Sequence, residues 1–209
     1  NEDAVLHEGC LAELVRAGSS DSRIGVVGPL VYHYDEPERI QSAGGVLGPQ
    51  WESRHLAQNE VDRGQFTEPR DVDWVSGCGI MVRASAIEQI GALDERFFYY
   101  WEETEWCLRA RLAGWRVVHA PSARLWHKGV QRDYRPGPDI TYYNTRNRLL
   151  MMSTHRAPLG WRAAAWARYG LTVASWTVRP KWRAMHDHRD AMWQGMMDFV
   201  RRRWGRRPG

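Results

Sequence analysis

The sequence predicts an α/β fold followed by a helical, basic tail. Strand-like and helix-like patterns alternate from residue 8 to about residue 120, and the pattern beyond Thr141 is helical without further strands. The 209 residues, of which 43% are hydrophobic, suffice for one domain with a substantial core and an appendage.

The first half of the chain contains one helix, one strand and a long irregular segment. Apolar residues at helical spacing, stopped by Gly18, predict a helix over residues 8–17. The apolar run at residues 23–27 predicts a buried strand that Gly28-Pro29 closes. Residues 33–70 are rich in Gly, Pro, Gln and charge, which predicts an irregular excursion with one short hairpin.

The middle of the chain continues the alternation of strands and helices. Residues 72–82 predict a strand interrupted by Gly77 and Gly79, where a bulge or a close backbone approach is expected. Ser85 is placed to cap a short helix.

The clearest helix covers residues 102–113, because its first turn is acidic, its last turn is basic and Gly114 follows it. Residues 115–119 predict a strand that Pro121 ends. Near the end of the chain, Met and Val recur every four residues beside Trp, which predicts an amphipathic helix.

Charge divides the chain into an acidic body and a basic tail. Residues 155–209 contain 12 Lys and Arg against 3 Asp and Glu, whereas residues 1–154 contain 17 against 22. The tail could be a solvated helix surface, a nucleic-acid contact or a helix in a membrane interface. Its Trp and Met lie on an amphipathic face, which favours an anionic membrane surface and makes nucleic acid unlikely as a partner. No apolar run is long enough to span a bilayer.

Several classes of protein are disfavoured by motifs that the sequence lacks. The three cysteines are odd in number and widely spaced, so a disulfide framework or zinc knuckle is not expected and a cytosolic setting fits better. The sequence contains neither GxxxxGK[ST] nor GxGxxG, so a P-loop or a dinucleotide fold is not supported.

Three short segments are candidates for chemistry, and each also has an ordinary structural explanation. The acidic residues 102–105 could simply complement the helix dipole, but the aromatic run 97–101 before them could line a cleft, in which a carboxylate of this cluster could act as a base. His127 is either a packed histidine or a metal ligand. Asp3, alone near the start of the chain, carries little information by itself.

An ordered set of segments resembles the C-terminal half of family 2 glycosyltransferases with the GT-A (Rossmann-like) fold, especially bacterial rhamnosyltransferase-like members. The set runs from residue 1 to about 150 and consists of residues 1–3, 40–45, 73–77, 81–83, 91–98, 102–109, 113–115, Pro121, His127 and 142–147. The resemblance implies a partial GT-A domain with a mixed sheet at residues 1–150 and an amphipathic basic helical tail at residues 151–209.

The resemblance also implies a role for each matching site residue. Asp3 and His127 correspond to ligands of a divalent metal, Mg²⁺ or Mn²⁺, on the diphosphate of a sugar nucleotide. Glu103 corresponds to the catalytic base, with Glu102 as a supporting carboxylate; the family more often has Glu-Asp-x-Asp there. The implied donor and acceptor contacts are Trp74, Ser76, Gly77, Gly44, Gly45, Arg146 and Asn147.

The implied reaction is inverting transfer of a sugar, such as rhamnose, from a nucleotide-diphosphate donor to a glycan or lipid-linked glycan in cell-envelope polysaccharide synthesis. A cytoplasmic protein held at the inner face of the cell membrane by residues 155–209 is expected. The family's nucleotide-binding half, roughly a hundred residues, would precede Asn1, so this chain alone should bind donor poorly. The alternative is a non-catalytic membrane- or nucleic-acid-binding module derived from a truncated transferase.

Overall fold

A computed structural model describes residues 1–129 and 134–208, which divide into two compact units. The first unit comprises residues 1–93 and 103–134, and the second comprises residues 94–102 and 135–209. The domain boundary predicted at residue 150 lies within a helix, Pro138–Thr154, and stays a prediction.

Among the described residues, the first unit contains eight strands and three helices. The strands are β1 (Ala4–Leu6), β2 (Ile24–His33), β3 (Ile40–Ser42), β4 (Gly45–Leu47), β5 (Ser53–His55), β6 (Arg70–Asp71), β7 (Met81–Val82) and β8 (Arg116–His127). The helices are α1 (Cys10–Ser19), α2 (Ala84–Ile90) and α3 (Glu102–Leu112), whose first residue belongs to the second unit.

A mixed sheet of six strands forms the centre of the first unit. Its main order is β1-β8-β2-β3, with β6 also paired to β8 and β7 also paired to β2. β2 and β8 run parallel, and the other pairs are antiparallel. The remaining strands, β4 and β5, form the predicted hairpin in the irregular segment. The predicted α/β class with a mixed sheet is therefore confirmed.

Helices cover both faces of this sheet because neighbouring strand residues point in opposite directions. Val27 and Val118 pack with α1 on one face. Val26 and Val117, one position earlier in each strand, pack with Trp106 of α3 on the other face. The result is a layer of helix on each side of a buried sheet.

Two predicted strand ends are wrong because proline lies inside a strand in each case. β2 continues through Gly28-Pro29 to His33, and β8 continues through Pro121 to His127. In the parallel register, Pro29 pairs with Ala120 and Leu30 pairs with Arg124, so β8 bulges by three residues there. A bulge tolerates proline because its residues need not donate to the neighbouring strand.

The single strand predicted at residues 72–82 is also wrong. Within this range only Met81 and Val82 form a strand; Trp74 makes an isolated bridge with Gly45, and the rest of the segment is irregular. The apolar alternation arose because Val72, Trp74 and Val75 are buried in the core, which requires no strand. The helices were predicted more accurately: α3 ends two residues before Gly114, which has a φ of 92° as expected at a helix end.

The second unit is helical, as predicted for the tail. It contains α4 (Pro138–Thr154), α5 (Leu159–Val178) and α6 (His186–Val200), with a 3₁₀ helix at Pro180–Met185. α4 packs against α5 and α6. Among the described residues, no helix is both long enough and apolar enough to cross a membrane.

We expect acid to destabilise the first unit through His119 in β8. The ring is fully buried, neither ring nitrogen has a hydrogen-bond partner among the described residues, and burial together with the charge of Arg70 lowers its pKa to about 4. Between pH 6.5 and pH 4, the imidazole of His119 binds a proton in the unfolded chain but stays neutral in the folded one. The free energy of unfolding should therefore fall by up to about 3 kcal/mol between pH 6.5 and 4.

Urea unfolding at pH 7.5 and pH 4.5 measures this loss. His119→Phe, which preserves a ring against Phe66, should reduce the difference between the two pH values. The exposed His7 provides the control, because His7→Gln should leave the difference unchanged. An equal loss in the unaltered protein and in His119→Phe would contradict the explanation.

Candidate functional site

The register of β1 and β8 brings Asp3 and His127 together from opposite ends of the first unit. Ala4 pairs with His127, and the Lys128 amide donates to the Asp3 carbonyl at 2.9 Å, so Asp3 lies beside the last residue of β8. Oδ1 of Asp3 is 3.2 Å from Nε2 of His127. His127 is therefore the last residue of β8, which continues beyond the strand end predicted at Pro121.

The geometry of this pair fits a shared divalent cation. Oδ1 of Asp3 is buried and has no hydrogen-bond partner among the described residues, even though Nε2 of His127 is near. Two ligands that are each about 2.1 Å from one cation, at right or tetrahedral angles, lie about 3.0–3.4 Å apart. The observed separation falls in that interval, and a carboxylate oxygen with an imidazole nitrogen is a suitable donor pair.

Three neighbours of this pair were not predicted as site residues. The amide of Gln41 is at hydrogen-bonding distance from Nδ1 of His127, and the amide nitrogen of Asn1 is 3.3 Å from Nε2. A Cβ at Gly129 would overlap the Asp3 carboxylate. Gln41 lies in the motif from which only Gly44 and Gly45 were selected, so the sequence held a signal for it.

Glu103 lies in the first turn of α3, and its side chain packs near Gly77. A Cβ at Gly77 would be 3.6 Å from Cγ of Glu103. Burial, with smaller contributions from the charges of Glu103 and Asp3, raises the pKa of the Cys78 thiol to about 11. The predicted base therefore lies beside Gly77, another of the predicted contacts.

The other predicted contacts of the first unit form the packed segment that leads to Gly77. Trp74 is 3% exposed, and a Cβ at Gly45 would overlap its indole. Gly44 has a φ of 81°, which favours glycine. The Ser76 hydroxyl is 3.2 Å from the Cys78 sulfur. Trp74 and the two glycines are thus packed tightly by their neighbours, and a contact of each predicted residue with substrate stays a prediction.

The remaining predicted residues, Glu102, Arg146 and Asn147, belong to the second unit. Burial raises the pKa of Glu102. The Asn147 amide donates to the carbonyls of Phe97, Tyr99 and Tyr100 at 2.7–2.9 Å, and the Arg146 guanidinium donates to those of Arg96 and Phe97. Both side chains are fully buried, so the structure shows them holding the backbone before α3.

That backbone is strained. Phe98, Tyr100 and Trp101 have φ values of 62°, 65° and 78°, a region that side chains other than glycine rarely adopt. The aromatic run that was predicted to line a cleft is thus a tight turn. Its conformation depends on the amide of Asn147 and the guanidinium of Arg146.

Comparisons with known proteins identify the family. The profile described as "Glycosyltransferase like family 2" matches residues 1–148. The N-acetylglucosaminyl-diphospho-decaprenol L-rhamnosyltransferase of Mycobacterium tuberculosis (strain ATCC 25618 / H37Rv) is 33% identical over 178 residues, covering 77% of this chain and 57% of that protein. The dTDP-rhamnosyl transferase RfbF of Shigella flexneri is 29% identical over 89 residues, covering 39% of this chain and 30% of that protein.

A solved structure confirms the fold. The crystal structure of GalNAc-T7 with UDP, GalNAc and Mn²⁺ matches 72% of this chain and 30% of that chain, with a TM-score of 0.50 at 14% identity. The chain thus spans little more than half the length of its mycobacterial relative. The family profile covers the whole of the sheet and the predicted site, and the chain belongs to the glycosyltransferase like family 2, within which it is rhamnosyltransferase-like.

Proposed function

We propose that the protein transfers rhamnose from a nucleotide-diphosphate donor to a lipid-linked glycan in cell-envelope polysaccharide synthesis, with inversion at the anomeric carbon. The observation that carries this proposal is the contact of Asp3 with His127 at 3.2 Å in a family 2 chain, in which Glu103 lies beside Gly77 at the start of α3. The names of the mycobacterial and Shigella relatives supply the sugar, the donor and the type of acceptor.

Glu103 is the general base of the proposed reaction. Its carboxylate takes the proton of the acceptor hydroxyl, whose oxygen forms a bond to the anomeric carbon from the opposite face. The bond between the anomeric carbon and the diphosphate oxygen breaks, and its electron pair leaves with the nucleoside diphosphate. Glu102 supports this role as a second carboxylate at the start of the helix.

Asp3 and His127 would hold a divalent cation, Mg²⁺ or Mn²⁺, which when bound supplies positive charge to the diphosphate. A mixed donor set of imidazole, carboxylate and phosphate favours Mn²⁺ slightly. Within residues 1–129 and 134–208, no group of three or more His, Cys, Asp or Glu side chains is arranged around a metal.

A transfer assay with the full-length protein tests the proposal. The protein is incubated with dTDP-rhamnose and a lipid-diphosphate-linked N-acetylglucosamine, and the anomeric configuration of the product is read by NMR. We expect a product with inverted configuration, loss of transfer with a chelator and recovery with Mn²⁺. Failure with a panel of nucleotide sugars, or retained configuration, would overturn the proposal.

We expect Gly129→Ala to weaken Mn²⁺ binding at least about tenfold, because a methyl group there displaces a carboxylate that serves as a ligand. Titration of Mn²⁺ in the presence of dTDP, followed by the electron paramagnetic resonance of the free ion, measures the affinity. Gly137→Ala is the control, since a Cβ at Gly137 would meet open space. Equal affinity in both variants would show that Asp3 does not need its present position.

We propose that residues 155–209 bind an anionic membrane surface. Residues 140–186 contain no acidic residue, and α5 exposes Leu159, Leu171 and Val178, each more than 70% exposed. An exposed apolar helix face bordered only by positive charge suits an interface with anionic headgroups. Arg179, Lys181 and Arg183, all exposed, supply that charge at the end of α5.

Co-sedimentation with vesicles tests this surface. The protein should bind phosphatidylglycerol vesicles more strongly than phosphatidylcholine vesicles, and replacement of Arg179, Lys181 and Arg183 by Gln should weaken binding by about 1 kcal/mol per charge at low salt. Arg189→Gln is the control, because Arg189 is already paired with Asp190. Preference for duplex DNA over anionic vesicles at matched salt would overturn the proposed membrane partner.

A further inference from the structure

We propose that Gln41 is a positioning residue, which holds the His127 ring so that Nε2 offers its lone pair to a cation shared with Asp3. This inference rests on the proposed function, in which Nε2 is a metal ligand. Gln41 lies on β3, which is separated from β8 by β2, and it is 5% exposed. Its buried amide therefore reaches His127 across an intervening strand and has no access to bulk water.

The contacts of His127 determine which nitrogen carries the proton. Both atoms of the Gln41 amide lie close to Nδ1, the nitrogen at 3.1 Å and the oxygen at 3.2 Å, so either orientation of this amide is possible from distance alone. The choice follows from the other side of the ring. The amide nitrogen of Asn1 lies 3.3 Å from Nε2 and in this orientation donates to it, and the carboxylate of Asp3, which has no second orientation of this kind, decides the assignment.

The carboxylate of Asp3 leads to the same assignment. A proton on Nε2 would have Oδ1 of Asp3 as its nearest charged acceptor, at 3.2 Å, yet the two groups are not aligned for a hydrogen bond. The proton therefore lies on Nδ1, and Oε1 of Gln41 accepts it. Nε2 then presents a lone pair beside Oδ1, which is the arrangement that two ligands of one cation require.

Gln41 thus acts on the proposed metal through His127. Loss of such an outer partner typically weakens metal affinity 10–100-fold, because the ring can rotate or exchange tautomers. A residue that merely fills space would produce no tautomer change when another side chain of the same shape fills the same volume. This difference separates a positioning role from a structural one.

Two variants of Gln41 provide the test. Gln41→Met keeps the length of the side chain and removes the acceptor, whereas Gln41→Glu keeps an acceptor facing Nδ1. We expect Gln41→Met to weaken Mn²⁺ binding in the presence of dTDP by 10–100-fold, and Gln41→Glu to stay within about threefold of the unaltered protein. If Gln41 had only a structural role, both variants would lose Mn²⁺ affinity to the same extent.

Long-range ¹H–¹⁵N correlation spectra of the metal-free protein give a readout that is independent of activity. The neutral His127 ring, assigned by difference with His127→Gln, should carry its proton on Nδ1 in the unaltered protein and in Gln41→Glu. In Gln41→Met, that preference should be lost. Asn59→Gly is the matched control: it removes an amide 3.0 Å from the buried His33 on the neighbouring strand and should leave the His127 signals unchanged.

The outcomes separate this inference from the proposed function. An Nε2 proton in the unaltered protein, or an unchanged His127 ring in Gln41→Met, overturns the role of Gln41 whatever the metal does. If the unaltered protein binds no Mn²⁺ while Gln41→Met still shifts the tautomer, the proposed metal site fails and the placement of the ring by Gln41 is supported.

Discussion

Glu103→Gln should lower kcat by about 10²–10⁴-fold while leaving donor binding nearly unchanged, because an amide of the same shape cannot take the proton of the acceptor. The glutamine can keep the packing of the side chain near Gly77. Single-turnover transfer from dTDP-rhamnose measures the chemical step, and calorimetric titration of the donor measures binding. A lower rate with unchanged donor affinity would show that the substitution affects the chemical step and not donor binding.

Glu105→Gln is the matched control for this prediction. Glu105 lies two residues later in α3, is 1% exposed and forms an ion pair with Arg109 at 2.9 Å. Its replacement should reduce thermal stability and leave the chemical step in the remaining folded protein unchanged. Transfer by Glu103→Gln at an undiminished rate would favour the alternative of a non-catalytic binding module.

Arg146→Met should destabilise the second unit by about 3–5 kcal/mol, the range seen when one partner is removed from a buried charged network. The guanidinium is fully buried, and it donates to the Gly205 carbonyl at 2.7 Å and to the Phe97 carbonyl at 2.9 Å. Methionine fills much of the volume but donates to neither carbonyl. The Gly205 carbonyl would then lose this donor, and the Phe97 carbonyl would keep only the amide of Asn147.

Urea unfolding monitored by tryptophan fluorescence measures the effect. Arg146→Lys should give an intermediate loss, since an ammonium group preserves the charge but not the planar fork that reaches several carbonyls. The exposed Arg201 supplies the control, because Arg201→Met should change the free energy of unfolding by less than about 0.5 kcal/mol. A decrease in the free energy of unfolding of less than about 1 kcal/mol in Arg146→Met would contradict a stabilising role of these hydrogen bonds.

The sequence was sufficient for features that depend on neighbouring residues. The acidic first turn, the basic last turn and Gly114 predicted α3 almost to the residue. The same local reasoning failed at Pro121, because the bulge that accommodates this proline is defined by β2, a distant strand. A local signal can mark an interruption, but it cannot show whether a partner strand absorbs it.

The residues of the candidate site also fall into those that the sequence could predict and those that it could not. Asp3, Glu103 and His127 could be predicted because the family's motifs contain them. The contact of Gln41 with His127 spans 86 residues, and the need for glycine at residue 129 arises from a carboxylate at residue 3. Both follow from strand pairing in three dimensions, which one sequence without its relatives does not reveal.

The bulge in β8 has a consequence for how the chain can change in length. An extra residue among Pro121, Ser122 and Ala123 would lengthen the bulge, which has no regular pairing with β2. The part of β8 that follows could then keep its register. An extra residue between Trp126 and His127 would instead turn the imidazole to the opposite face of the sheet. Insertions and deletions among relatives of this chain should therefore be frequent at the bulge and rare in the few residues after it.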